Sequence, residues 1–258
     1  MLIDTHCHLD FPELAADRTG VLARATEAGI GRMVTIATHK TRWPTYLQIA
    51  RENPNVFCTL GVHPDHVAED GQDMSAEELV AAINANPKVV GIGECGLDYY
   101  REHDKDIQAR ALAAHIDAAQ QTGLPVIIHA RDADVDMIEQ LTTPYHTRPY
   151  TGLLHCFASG RKLAEAALEI GFYISFSGIV TFKNARDLQE IARDVPLERM
   201  LVETDAPFLA PVPLRGKINE PSYVRHTAQF LADLKGVPLD DFARITTANA
   251  QCVFGRLA

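Results

Sequence analysis

Residues 2–8 read Leu-Ile-Asp-Thr-His-Cys-His, a short apolar start that ends in two histidines. Such a start is typical of a buried strand, and residues i and i+2 of a strand point to the same side. His6 and His8 would therefore face one side and Cys7 the other. Taken alone, this spacing is about as typical of two half-exposed histidines at a strand end. The rest of the chain has to separate the two interpretations.

Short apolar runs of the same kind recur along the chain, with helical spacing between them. They predict strands at Leu2–Thr5, Met33–Ala37, Val56–Gly61, Val89–Gly93, Val126–His129, Gly152–His155, Tyr173–Ser175 and Met200–Glu203. The segments between them predict helices at Arg18–Ala28, Ala76–Asn84, Ile107–Gln121, Lys162–Glu169, Ala185–Arg193 and Ser222–Lys235. The positions where helices should stop carry Gly29, Gly123, Gly171 and Gly236.

Strands that alternate with helices predict a parallel sheet. Eight such units over roughly 250 residues are the usual size of a (β/α)₈ TIM barrel, so we predict one α/β domain over residues 1–258. A doubly wound open sheet is the structural alternative. The longest irregular stretch is Pro207–Pro221, and loops of that length tend to be functional.

Further potential metal ligands stand at or just beyond the carboxyl ends of the predicted strands: Glu94, His129, His155 and Asp205. In a closed barrel these ends converge on one mouth. Four imidazoles and two carboxylates gathered there are costly unless cations satisfy them. Six ligands shared by two divalent ions also leave open coordination positions, which is typical of a catalytic site. The sequence therefore predicts a two-metal hydrolase.

Composition and charge limit the function classes. The chain is 47% hydrophobic and 22% charged, as ordinary globular proteins are, and its formal net charge of −10 argues against broad binding of duplex nucleic acid. An 18-residue apolar run and a basic leader are both missing, so we expect neither membrane insertion nor secretion. Five cysteines without a CxxC pair favour a reduced cytoplasm over a disulfide framework.

Several longer blocks resemble the signatures of the TatD-related metal-dependent hydrolases and deoxyribonucleases, which belong to the amidohydrolase-like barrels. The blocks follow in order along nearly the whole chain: HCHLDF from residue 6, GVHP at 61–64, GECGLDYY at 93–100, PVIIHARDA at 125–133, LHCF at 154–157, SFSGIVTFKNA at 175–185, ETDAPFLAP at 203–211, RGKINEP at 215–221 and TTANA at 246–250. The blocks at 175–185 and 203–221 are the most specific. Cys95 and the residues after His-Cys-Phe depart from the commoner pattern.

The resemblance implies a ligand assignment and an activity. His6, His8 and Asp205 would hold a first ion and His129 and His155 a second, with Glu94 bridging the two. The resemblance also implies Mg, Mn or Zn dependence and hydrolysis of a DNA phosphodiester. We expect an exonuclease that acts on single-stranded DNA or other nucleic-acid ends, because ions held by the protein attract a phosphate even where its surface is acidic.

Neighbouring polar residues are weaker candidates. His63 in GVHP and Arg131, two residues past His129, are candidate substrate contacts; a packing role for His63 is equally consistent with its position. The long loop offers further candidates for phosphate oxygens, Arg215, Lys217 and Asn219. If the last strand stays extended, Glu203 points to the same side as Asp205 and can tune it or relay a proton.

The expected mechanism is metal-assisted hydrolysis, with Asp205 as the general base. Two alternatives stay open. The same metal chemistry also hydrolyses amides or esters of small molecules, but the amide-cleaving branch often bridges its ions with a carboxylated lysine, and Glu94 occupies that strand end here. A non-catalytic metal-binding protein needs closed coordination, which six ligands for two ions do not provide.

Overall fold

The computed structural model describes residues 1–101 and 104–257, which contain eight parallel strands in a single sheet ordered β1 to β8. The strands are β1 (Leu2–Cys7), β2 (Ile30–Thr35), β3 (Val56–Leu60), β4 (Val89–Asp98), β5 (Val126–Arg131), β6 (Gly152–Leu154), β7 (Tyr173–Phe176) and β8 (Met200–Val202). The last strand returns to the first, because the Asp205 N–H donates to the His6 carbonyl and Cys7 pairs with Ala206. The (β/α)₈ barrel is confirmed, and the open-sheet alternative is wrong.

Helices connect successive strands and cover the outside of the barrel. They are α1 (Pro12–Ala15), α2 (Arg18–Glu27), α3 (Trp43–Glu52), α4 (Val67–Asp70), α5 (Ala76–Asn84), α6 (Lys105–Thr122), α7 (Asp134–Thr147), α8 (Arg161–Glu169), α9 (Arg186–Asp194), α10 (Val224–Lys235) and α11 (Leu239–Val253). Every predicted helix is present with ends within two residues. The prediction omits α1, α3, α4, α7 and α11; α7 contains Pro144, a residue that normally argues against a helix. In the described part of the chain, no helix is both long and apolar enough to cross a membrane.

The apolar core fills one end of the barrel. One cluster of buried residues draws on most of the strands: Ile3, Val34, Ile36, Val90, Ile127, Leu153, Tyr173 and Leu201. Ala250 and Val253 at the end of α11, with Phe254 and Leu257 after it, pack against the same cluster. The barrel is therefore a packed core rather than a pore. Polar groups that need access to solvent are left to the carboxyl end of the strands.

Strand β4 is longer than predicted, and this changes where Glu94 lies. It continues five residues past Gly93 to Asp98, because it goes on pairing with β5 after a register shift between Ile92 and Cys95. Gly96 has φ +146°, and a Cβ there would come within 1.9 Å of the His129 carbonyl oxygen. Only glycine permits this close approach. Glu94 thus lies inside the strand rather than at its end.

Candidate metal centre

Glu94 occupies the middle of a cluster of imidazoles at the carboxyl end of the barrel. Its Oε2 atom lies 3.4 Å from His6 Nε2. Its Oε1 atom lies 2.7 Å from His155 Nε2 and 3.1 Å from His129 Nδ1. The two oxygens of one carboxylate therefore face two different groups of potential ligands.

The first group consists of His6, His8 and Asp205, whose ligand atoms all lie within 4.8 Å of one another. Asp205 Oδ1 is 3.3 Å from His8 Nε2 and 3.6 Å from His6 Nε2. Strand β1 supplies His6, and His8 follows the end of that strand directly. The structure thus brings together the three residues that the resemblance assigned to one ion.

The second group surrounds Glu94 Oε1. His129 Nδ1 lies 3.4 Å from His155 Nε2, so both imidazoles meet at the same carboxylate oxygen. His63 joins them, with its Nε2 3.4 Å from Glu94 Oε1, and forms a ligand-like group with Glu94 and His129. Its Nδ1 accepts a hydrogen bond from the Asp65 N–H, which fixes the ring. His63 therefore lies among the potential ligands rather than at the rim.

A further carboxylate lies behind His129 and another behind His155. Asp98 Oδ2 is 3.0 Å from His129 Nε2, and Glu203 Oε1 is 3.3 Å from His155 Nδ1. Such partners orient a metal-binding imidazole and make it a stronger ligand. The sequence prediction missed Asp98; its signal was an aspartate four residues after Glu94, on the same side of an extended strand.

The extended strand that would point Glu203 and Asp205 to the same side is not present. Strand β8 ends at Val202, and Asp205 adopts φ +56°, so the extended geometry is lost between the two acids. Glu203 is fully buried and accepts hydrogen bonds from the Cys156 N–H and the Ser175 hydroxyl. Its carboxylate supports His155, and its role in tuning Asp205 or relaying a proton stays a prediction.

Asp205 is held instead by a buried link between the first and last strands. Thr204 donates from its backbone N–H and from its hydroxyl to the two oxygens of Asp4, at 2.9 and 2.6 Å. The Thr204 hydroxyl also accepts from the Ala206 N–H. These bonds fix both neighbours of Asp205 in the chain. They hold its backbone in a left-handed conformation that Asp tolerates better than most residues.

The donor set fits divalent cations. His6 is fully buried, and neither of its ring nitrogens has a hydrogen-bond partner among the described residues. Burial, aided by the charge of His155, lowers the pKa of His6, so this imidazole stays neutral and can act as a ligand. Burial alone would raise the pKa of Glu94, but His155, His63 and His129 hold it well below the usual value. A neutral buried imidazole beside an ionised carboxylate is the environment that a bound cation completes.

Comparison with known proteins identifies the family of this chain. A family model described as TatD related DNase matches residues 3–255. The chain belongs to the TatD family. It is 41% identical over 262 residues to the uncharacterized metal-dependent hydrolase YcfH of Escherichia coli K12, a match that covers 98% of this chain and 95% of that protein. It is 38% identical over 257 residues to the uncharacterized metal-dependent hydrolase YabD of Bacillus subtilis, with 98% and 99% covered.

A solved TatD homologue has the same fold. The crystal structure of YjjV from Escherichia coli K12 superposes with a TM-score of 0.91 at 30% identity, and the match covers 98% of each chain. The present chain is therefore a metal-dependent hydrolase of the TatD family with a single-domain TIM barrel. The family prediction made from the sequence blocks is confirmed.

A cleft of 1180 Å³ opens over the candidate metal centre of this TatD-family chain. His63 and Arg131 line it, so the structure brings these two predicted substrate contacts to the site. Arg131 is exposed, with its guanidinium 3.7 Å from the ring centre of Tyr100. Arg101 also lines the cleft and pairs with Asp65 at 2.9 Å.

The structure does not bring the three long-loop candidates to this cleft. Arg215 lies over the ring of Phe182 at 4.4 Å, and Lys217 is exposed. Asn219 is fully buried, and its side-chain amide donates to the carbonyls of Thr204 and Phe208. With these bonds made, Asn219 holds the loop in place and has no exposed surface for a phosphate.

His115 on α6 supports the turn that carries His63. Because the ring is buried, it should also make the free energy of unfolding depend on pH. Its Nε2 accepts from the Val62 N–H and its Nδ1 donates to the Ala111 carbonyl. Burial lowers the pKa of His115 from 6.5 to about 4. Above pH 6.5 the His115 ring is neutral in both the folded and the unfolded chain, so it does not make the free energy of unfolding depend on pH. Below it, the unfolded chain takes up a proton that the folded chain does not, so stability falls by about 3 kcal/mol down to pH 4.

The variant His115→Gln tests this dependence, since Gln can make both hydrogen bonds without titrating. The drop in unfolding free energy between pH 7 and pH 4.5, measured by urea denaturation in chelator, should be about 2–3 kcal/mol smaller than in the wild type. The exposed His146 provides a control, because His146→Gln should keep the wild-type slope. If the unfolding free energy falls with pH equally in His115→Gln and in the wild type, His115 does not resist protonation in the folded chain.

Proposed function

We propose that this chain is a two-metal phosphodiesterase that removes nucleotides from single-stranded DNA ends. The observation that carries the proposal is the position of Glu94, whose Oε2 faces His6 while its Oε1 faces His129 and His155. A carboxylate placed between two ligand groups can bind one ion with each of its oxygens. Zn, Mn and Mg are the candidate ions, because imidazoles favour Zn and carboxylates favour Mg or Mn.

When bound, two divalent ions would polarise a phosphoryl oxygen, assist ionisation of the attacking water and stabilise the charge that develops. The chain's own residues do the rest. Asp205 is the candidate general base, because its side chain borders the cleft and its pKa stays low. Burial alone would raise that pKa, but the hydrogen bond with His8 and the positive charges of His8 and His155 outweigh it. Asp205 is therefore ionised and ready to accept a proton.

The preference for a phosphodiester over an amide rests on charge. Glu94 stands where the amide-cleaving barrels often place a carboxylated lysine, and the matching family model is described as a DNase. The cationic side chains of Arg101, Lys105 and Arg131 line the same cleft. The chain as a whole has a net charge of −10, which disfavours contact with a long duplex. A free strand end can reach these three cations and the metal centre without a long duplex having to lie against an acidic surface, which fits both facts.

A parallel activity screen tests the proposal. Protein loaded with Mn²⁺, Zn²⁺ or Mg²⁺ is given single-stranded DNA with free ends, closed circular duplex DNA, a small phosphodiester and a small amide. We expect mononucleotide release from the single strand at least tenfold faster than any cleavage of the circle. Chelator should abolish the activity and leave the circular-dichroism spectrum nearly unchanged, because the packed core does not depend on metal. Equal cleavage of the circle and the single strand, or cleavage of the amide alone, would overturn the proposal.

A further inference from the structure

Two phenylalanines form a pair beside the first ligand group. The rings of Phe11 and Phe208 meet edge to face, with centroids 5.5 Å apart and an angle of 85°. Both rings also contact His8, at 5.1 and 6.3 Å between centroids. Both residues line the cleft, and Phe208 keeps 48% of its surface exposed. The pair is therefore an apolar wall next to a candidate metal ligand.

Short turns tie both rings to the candidate metal ligands. The Phe208 N–H donates to the Asp205 carbonyl, and the Phe11 N–H donates to the His8 carbonyl. Each ring thus follows a potential ligand by three residues in a hydrogen-bonded turn. Asn219 adds a third restraint, since its buried amide donates to the Phe208 carbonyl. The backbone that carries the exposed ring of Phe208 is therefore restrained beside the metal centre, which favours a preorganised binding surface.

Cationic side chains lie over two tyrosines, Tyr99 in the lining of the cleft and Tyr100 next to it in the chain. Lys105 lies 3.7 Å above the ring of Tyr99, and Arg131 lies 3.7 Å above that of Tyr100. These pairs present cations to the cleft, whereas Phe11 and Phe208 present only apolar rings. The cleft therefore offers cations at Lys105 and Arg131, among several carboxylates, and an aromatic surface without a cation at Phe11 and Phe208. Its occupant should combine a negative group with a flat apolar one.

We infer that Phe11 and Phe208 form the stacking site for the base of the terminal nucleotide, beside the scissile phosphodiester. The inference rests on the proposed function, because it takes the group held by the metal centre to be a phosphate. A nucleotide joins its base to its phosphate through one sugar, which suits an aromatic wall adjoining His8. Aromatic side chains bind bases with little regard to sequence, since every base has a π-face. The pair would thus select a nucleotide over other phosphodiesters.

Matched oligonucleotides test the inference. Two single strands are used, one ending in an ordinary nucleotide and one ending in an abasic tetrahydrofuran at the same position, each prepared for the 3′ and the 5′ end. The measured quantity is the ratio of kcat/KM for the base-bearing end to that for the abasic end. For Phe208→Ala this ratio should fall roughly 5- to 150-fold relative to the wild type, which corresponds to the usual 1–3 kcal/mol per stacked base. Phe208→Trp should keep it or raise it, because Trp retains a stacking face.

Val212 provides the matched control, because it lies on the same loop and is 45% exposed but is not among the described residues that line the cleft. Val212→Ala should leave the ratio at its wild-type value. If the wild type cleaves both oligonucleotides and Phe208→Ala leaves the ratio unchanged, the stacking site is wrong while the proposed function stands. If the wild type cleaves neither oligonucleotide, nor any other DNA end, the proposed function fails and the stacking site fails with it.

Discussion

Replacing Glu94 by Gln is expected to weaken the binding of both metal ions and to remove nearly all turnover. Gln keeps the volume of Glu, so the packed barrel should fold. It removes the negative charge and one of the two oxygens that face the two ligand groups. Loss of partners that only support a ligand costs about 10–100-fold in metal affinity, so loss of the bridge itself should cost more than about 100-fold at each position. Titration with Mn²⁺ or Zn²⁺, followed by elemental analysis, measures both affinities.

The comparison variant His129→Asn separates a bridge from a single ligand. His129 faces the Oε1 atom of Glu94 and does not belong to the group formed by His6, His8 and Asp205. We expect this variant to lose mainly one ion and to keep the other near its wild-type affinity. The wild type should approach two ions per chain in the same assay. If Glu94→Gln keeps two ions and near-normal turnover, Glu94 is not the bridge and the ligand assignment is wrong.

Most of the barrel could be predicted because its strands are buried on both faces. Runs such as Val126–His129 are continuously apolar, and this signal does not depend on tertiary contacts. The extension of β4 was not predictable in that way. It depends on pairing with β5 beyond a register shift, and on the close approach of Gly96 to His129. Only the folded sheet shows that Glu94 lies within a strand.

The candidate ligands were predictable from chain position, but their supports were not. A histidine or acid at a strand end can be read from sequence, because parallel strands bring their carboxyl ends together. The contact of Asp98 with His129, or of Asp4 with Thr204, joins residues far apart in the chain. Asn219, by contrast, was predicted to contact the substrate, and the structure places it away from the cleft. A polar residue in a long loop suggests a substrate contact, yet burial turns its amide towards the loop's own carbonyls.

Replacing Asp205 by Asn is expected to lower kcat by roughly 10²–10⁴-fold, the range typical of a lost general base. The same change should lower the affinity for one ion, since it removes a charged ligand next to His6 and His8. Asn is the proper substitution because Asp205 has φ +56°, a conformation that Asn tolerates and Ala does not. The Thr204 bonds to Asp4 are made by the neighbouring residue, so the local backbone should persist. Steady-state kinetics at saturating metal isolates the loss of the base from the loss of affinity.

Asp132 offers a matched control for this variant. It is an aspartate with a positive φ of +53°, it lines the same cleft, and it is exposed. Asp132→Asn removes the same charge from the same cleft and imposes the same backbone demand, so a general electrostatic effect would appear in both variants. We expect kcat of Asp132→Asn to stay within about twofold of the wild type, as for most surface changes. Similar losses in the two variants would mean that Asp205 acts only through the charge of the cleft. A normal kcat for Asp205→Asn at saturating metal would remove it from the role of general base.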